Sequence, residues 1–276
     1  MAIHLGGSSR NSLAATRVVL DKALSGLSGD AASALSNDLF AVVNALGQNV
    51  ALRRAITDPA RSAEDKGGLL KQLFGSKISD KAFEIANTAI ANRWSSPADL
   101  LIAMEQIAIQ AEAGAANARG ELDKLEEEVF TFTRVLAANQ DLRNALNGNP
   151  DAIKEKRALV NDVLKGATSS ARSLIGQIVN GLWGRNIENA LSDIAHATAE
   201  HRHLVVAHVS SAIDLTADQR NKLADALTKQ IGQKVRVNVE TNPKVIGGVS
   251  IRFRDELIDG TVISRMAEAS QALAGK

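Results

Sequence analysis

The chain has no cysteine and no tyrosine, only two tryptophans, and only four prolines in 276 residues. Without cysteine there can be no disulfide, no thiolate metal site and no cysteine nucleophile, which fits a reducing compartment. Aromatic residues amount to 3 %, so few side chains are available for bases to stack on. Charge of one sign is scarce too. Residues 1–117 hold 11 basic and 11 acidic side chains, 118–203 hold 11 and 12, and 204–276 hold 10 and 8, for a net charge of +1. No part carries the basic footprint of a nucleic-acid binder. Long apolar runs are missing as well: hydrophobic residues reach 45 %, but polar side chains interrupt every stretch, so no membrane-spanning helix is expected. The first ten residues, Met1 to Arg10, lack the charged-then-apolar order of a secretory signal. The chain is expected to stay in the cytoplasm.

What the chain does have is helical periodicity. Leu13, Val18, Leu20 and Leu24 recur near helical spacing behind possible caps at Asn11 and Ser12, predicting a first helix over 11–24. Leu35, Leu39, Val42, Val43 and Leu46 form the stripe of a second helix over 31–46, and a short third ends at Ile56 before Asp58-Pro59. Ser62 with Asp65 opens a fourth, closed by Gly75, and Ser79-Asp80 opens a fifth through Phe83, Ile85, Ile90 and Trp94. Ser96 before Pro97 starts a sixth that loosens at residues 113–116.

Then the pattern repeats. Phe40, Leu46, Asn49, Leu52-Arg53, Ala55, Lys66, Leu69, Ile85 and Leu101 match Phe130, Leu136, Asn139, Leu142-Arg143, Ala145, Lys156, Leu159, Ile175 and Leu191, all displaced by ninety positions (142 − 52 = 90). A helical unit is duplicated. The second copy has only 119–138 before Leu142-Arg143, so it lacks a counterpart of 11–24 unless it borrows one.

The last third changes period. Val205, Ala207, Val209 and Ile213 alternate on one face. Thr216-Ala217-Asp218-Gln219 is a capping box before a helix with Leu223, Leu227 and Ile231, and Val235, Val237 and Val239 alternate again. After Pro243 and Gly247-Gly248 come Val249, Ile251 and Phe253 inward against Ser250, Arg252 and Arg254, then a tight reversal into 257–262. The glycine pair opens a strand with no lysine after it, so it is architectural rather than a phosphate loop. The fold class is therefore mainly α: two tandem helical bundles, 1–117 and 118–203, followed by a small α+β domain, 204–276.

At this stretch the chain resembles the delta subunit of F-type ATP synthase, the oligomycin-sensitivity-conferring protein of mitochondria. The resemblance rests on the Pro243-x-Val245-Ile246-Gly247-Gly248-Val249-x-Ile251 block, on Asp255, and on Ile258-Asp259-Gly260-Thr261-Val262 with a short helix after it. It takes in the preceding helix, 215–232, and Arg254 stands where the family often has glycine. The family usually has one six-helix domain, so this chain carries one extra, as extended actinobacterial forms do. The resemblance implies a non-catalytic peripheral-stalk (stator) subunit on the cytoplasmic membrane face, attached indirectly through the complex and without cofactor. Its implied partners are the amino-terminal segments of α, bound by a helical domain, and the carboxyl-terminal end of subunit b, bound by the last domain. The groove expected for α is walled by 11–24 and 79–94, with Leu13, Leu20, Leu24, Ile85 and Ile90 as its apolar residues.

Other candidate sites are weaker. His196, His201, His203 and His208 lack the tight four-ligand spacing of structural zinc. Glu126-Glu127-Glu128 cannot converge on one ion, because consecutive helical residues point about 100° apart, and they are expected on a solvated face. No serine sits in a Gly-x-Ser-x-Gly elbow. Two readings fit Trp94 and Trp183: core packing or interface anchors. The competing classes are an enzyme, which would need a convergent polar constellation that the sequence does not offer, and a free-standing helical scaffold or adaptor unrelated to ATP synthase.

Overall fold

The computed structural model describes residues 5–201, 205–231, 235–242, 245, 248–253 and 256–259. It is mainly helical, with a small α+β part. The chain divides by contact into two compact units, Ile3–Thr198 and Ala199–Lys276.

The helical unit runs α1 (Gly7–Leu24), α2 (Gly29–Gln48), α3 (Val50–Thr57), α4 (Ala63–Phe74), α5 (Asp80–Ala91), α6 (Pro97–Ala118), α7 (Leu122–Ala138), α8 (Gln140–Asn147), α9 (Ile153–Val163), α10 (Ser169–Ile178) and α11 (Ile187–His201). Most starts follow from side-chain chemistry. The side chains of Ser28, Asn49, Ser62, Ser79, Ser96, Asn139 and Thr168 each accept a bond from an N–H of the following first turn, occupying donors that lack an intrahelical partner.

Helix α1 departs from expectation. It begins at Gly7 without a side-chain cap, and Ser12 lies inside it, donating to the carbonyl of Arg93 at 2.6 Å. Tertiary partners have outcompeted capping for that hydroxyl. Val18 is 68 % exposed, outside the buried stripe expected of it. Trp94 falls beyond the end of α5, and α6 does not loosen at 113–116, where Ala113, Ala115 and Ala116 are fully buried.

The repeat is visible in detail. Val50 and Gln140, Ala63 and Ile153, and Pro97 and Ile187 start helices ninety positions apart (140 − 50 = 90). Asn49 Oδ1 accepts from the Leu52 N–H at 2.9 Å, and Asn139 Oδ1 from the Leu142 N–H at 3.0 Å. Arg53 donates to the carbonyls of Leu46 and Gly47, and Arg143 donates to those of Leu136 and Ala137. The Ser79 N–H donates to Asp38 at 2.8 Å as the Thr168 N–H donates to Glu128 at 3.0 Å. Glu128 is thus a half-buried acceptor, as Glu126 is half-buried, and only Glu127 keeps the solvated position expected of all three.

Helix α6 joins the copies. Apart from its first turn it is buried nearly all round, and it packs on α1, α2, α3 and α5 of the first copy and on α7 and α10 of the second. Ninety positions beyond Gly7 lies Pro97 (7 + 90 = 97), so α6 stands where the second copy requires its α1. The missing first helix is borrowed. One continuous apolar cluster, from Leu5 to Ala197, runs through both copies.

The second unit consists of β1 (Val205–Ser211), α12 (Ala217–Ile231), β2 (Val235–Thr241), β3 (Val249–Phe253) and β4 (Glu256–Asp259) in a sheet of order β2-β1-β3-β4. β1 pairs parallel with β2, as a helical crossover allows, and antiparallel with β3; β3 and β4 form the expected hairpin. Ala207, Val209, Val235, Ile251 and Leu227 of α12 make its core. The capping box forms: Thr216 Oγ1 accepts from the Gln219 N–H at 3.3 Å, and Gln219 Oε1 accepts from the Thr216 N–H at 2.9 Å. Ile213 is 69 % exposed because β1 ends at Ser211, before the alternation could carry that side chain inward.

Candidate functional site

Of the five residues expected to line the groove, Leu13, Leu20 and Leu24 lie on α1 and Ile85 and Ile90 on α5, helices that pack directly on each other. Leu13, Leu20, Ile85 and Ile90 are buried, while Leu24 is half-buried. They belong to the apolar core or, for Leu24, pack against it, as half-buried Phe83 does, while Val18 of α1 is exposed. Serines pin one end of α1. Ser9 donates to Asp99 Oδ2 at 2.6 Å and accepts from the Ser95 N–H at 2.9 Å, tying α1 to the start of α6.

Of the hairpin signature, Val249 is half-buried, Ile251 is buried and Asp259 ends β4 opposite Ser250. Gly248 has φ 77°, a left-handed conformation that favours glycine and bends the chain into β3. Pro243, Gly247, Asp255 and Gly260 lie outside the described residues, as does Arg254. His196 lies on α11 and His208 on β1, on different elements; His203 is outside the described residues. Among the described residues no three His, Cys, Asp or Glu side chains converge as metal ligands, and no helix is long and apolar enough to cross a membrane.

Trp94 is a core residue, buried and donating from Nε1 to the Ala89 carbonyl at 2.7 Å. Trp183 is half-buried, with φ 51°, and its ring lies so close to Gly47 that a Cβ there would sit 2.2 Å from it. A tryptophan of the second copy thus packs on the end of α2 in the first.

Two buried ionic clusters escaped the reading of the sequence. Arg185 Nη2 donates to Glu105 Oε1 and Oε2 at 2.8 and 2.6 Å, and its Nη1 donates to Asp193 at 2.5 Å, linking α6 to α11. Burial pushes the Glu105 carboxyl up from 4.5 to about 7, with Arg185 opposing the shift and Asp193 adding to it. Burial also raises Asp193, against Arg185. Arg119, at the end of α6, donates to Ser33 of α2, Ser170 of α10 and Glu112 of α6. Beside it lies a cleft of about 340 Å³ between α2, α6 and α10, whose lining residues include Asp30, Asn37 and Ser173. The sequence signal for both clusters is a Glu inside a continuously apolar helix, a charge that requires a partner.

The family model of the ATP synthase delta (OSCP) subunit matches residues 110–273. Similar proteins include the "ATP synthase subunit delta" of Streptomyces coelicolor, 36 % identical over 97 % of this chain and 98 % of that protein. That of Streptomyces griseus is 35 % identical over 98 % and 100 %, and that of Thermobifida fusca is 36 % identical over 87 % and 90 %. The family match opens within α6 and takes in the second copy and the last unit.

Proposed function

Because the chain belongs to the ATP synthase delta (OSCP) subunit family, we propose that it is a non-catalytic stator subunit that ties the catalytic α/β head to subunit b and resists rotor torque. Proton flow then drives changes at the catalytic sites instead of spinning the head. The observation that carries this reading is the likeness to delta subunits over nearly the whole chain.

The parts divide as follows. Residues 1–117 take an amino-terminal segment of α along the α1–α5 seam, 118–203 extend the body, and 204–276 bind the carboxyl-terminal end of b. The protein works as a peripheral component at the cytoplasmic membrane face, held there by the complex. Physical support comes from the apolar character of the pair: Leu13, Leu20, Ile85 and Ile90 anchor α1 and α5 in the core, and Val18 leaves an apolar side chain of α1 exposed to a partner helix. It also comes from the core, since one packed cluster through both helical copies makes a stiff body that transmits load with little compliance.

The test is capture of ATP synthase components from membrane extract by the tagged full chain. Wild type is expected to retain α and b together. Val18→Asp is expected to lose α by tenfold or more while still retaining b, because a charge then faces the apolar side of the segment. Equal capture of α by the variant would refute the seam, and capture of neither subunit by wild type would refute the stator role.

A further inference from the structure

Two Asn-Gly pairs occur in the chain, Asn147-Gly148 and Asn180-Gly181. In such a pair the glycine nitrogen lies within ring-closing reach of the asparagine side-chain carbonyl carbon, and no Cβ hinders its approach. We propose that Asn147 is a self-modification site, whose side chain deamidates by attack of the Gly148 nitrogen, while the fold holds Asn180 back.

The Gly148 nitrogen bonds to Asn147 Cγ and loses its proton, Nδ2 leaves as ammonia, and a succinimide ring remains. Water then adds to one of the two ring carbonyls and breaks its bond to the nitrogen. Opening at Cγ leaves an aspartate at 147; opening at the main-chain carbonyl sends the backbone through Cγ as an isoaspartyl linkage. The net change is asparagine and water to a carboxylic acid and ammonia, with nothing oxidised or reduced.

The fold favours 147. Asn147 is the exposed last residue of α8, and among the described residues nothing accepts from the Gly148 N–H. At the ends of α2, α4 and α6 the same cap N–H donates back into its helix. The attacking nitrogen is therefore not tied down. Asn147 Oδ1 accepts from the Ile187 N–H at 2.8 Å, at the start of α11, and this is the oxygen that gains negative charge as Cγ is attacked. The departing Nδ2 is held only by Glu188 Oε2 at 3.4 Å.

Asn180 is placed otherwise. It is half-buried and its Nδ2 donates to Gln177 at 3.0 Å, while the Gly181 N–H is taken by the Ile178 carbonyl at 3.2 Å. The Trp183 ring lies over Gly181, 2.3 Å from where a Cβ would sit. The first copy has no equivalent either. Ninety positions before Asn147, Gly148 and Ile187 stand Thr57, Asp58 and Pro97, and proline has no N–H to offer. The Thr57 hydroxyl donates instead to the Arg53 carbonyl at 2.8 Å. Modification thus falls on the second copy, at the joint of α8 with α11, where either product removes the Nδ2 donor from Glu188 and adds one negative charge.

Peptide mapping by mass spectrometry tests this on the full chain held in mildly alkaline buffer, folded and in urea, with aspartyl and isoaspartyl forms separated by chromatography. In the folded chain, 147 is expected to convert at least about tenfold faster than 180, because only the Gly148 N–H is free. In urea the two are expected to convert within about threefold of each other, since both glycines then offer the same unhindered nitrogen. No conversion at 147 in the folded chain, or conversion at 180 as fast or faster, overturns the proposal. A preference for 147 that persists undiminished in urea overturns it too, because the fold would then not be its cause.

Discussion

Glu105 is the residue whose chemistry most constrains behaviour. It is 3 % exposed and shares Arg185 with Asp193, so two carboxylates compete for one guanidinium. Burial holds its pKa at about 7 against 4.5. Because the folded pKa is the higher one, the folded chain binds more protons than the unfolded between those values, and Glu105 costs stability as pH rises through the interval. The difference in unfolding free energy between wild type and Glu105→Gln is expected to move against wild type by about 3 kcal/mol from pH 4.5 to pH 8. Urea melts of the two chains across that range measure it, and a difference that does not change with pH would contradict the buried titration. Removing Arg185 instead leaves both carboxylates without their cation, the costlier way to break such a cluster.

The helix-to-helix joints are built twice with the same parts. In each, an Asn starts a short helix while an Arg four residues on donates back to the last carbonyls of the helix before, so one joint serves donors and acceptors together. Asn49→Ala and Asn139→Ala should each cost about 1 kcal/mol in denaturant melts, and by similar amounts, because the two caps share φ near −120° and the same Asn-to-Leu bond. A large loss at one joint with none at the other would mean that the copies do not share this geometry. At the end of α6, the Gly120 N–H donates to the Asn117 carbonyl and the Glu121 N–H to that of Ala116. This Schellman closure stops the shared helix and lets the chain turn into α7.

For the helical unit as a whole, a single core through both copies and a helix common to both predict cooperative unfolding. The two tryptophans stand one in each copy, so Trp94→Phe leaves a reporter in the second and Trp183→Phe leaves one in the first. Fluorescence midpoints of the two variants, each referred to its own circular dichroism melt, are expected to coincide with the loss of helix. A fluorescence transition separated from the main helical one would show copies that unfold independently.

Much of this protein is legible in the order of its residues. The period of apolar side chains, Ser96 before Pro97, the Thr216 capping box and the ninety-residue displacement mark local structure, where each signal acts within a few residues of itself. The Gly247-Gly248 and Asp259-Gly260 block marks the family. Other features depended on which surfaces meet. Ser12 reads as a cap but finds the Arg93 carbonyl, and Ile213 continues an alternation whose strand has already ended. Helix α6 reads as loosening at 113–116, yet Leu100, Ile107, Ile109 and the alanines at 103, 108, 111, 113, 115 and 116 are all buried, because two copies close around it. That burial demands partners for Glu105 and Glu112, and it is made by α2 on one side and α10 on another. Periodicity records that a side chain is apolar, whereas only packing between distant segments determines which neighbour covers it.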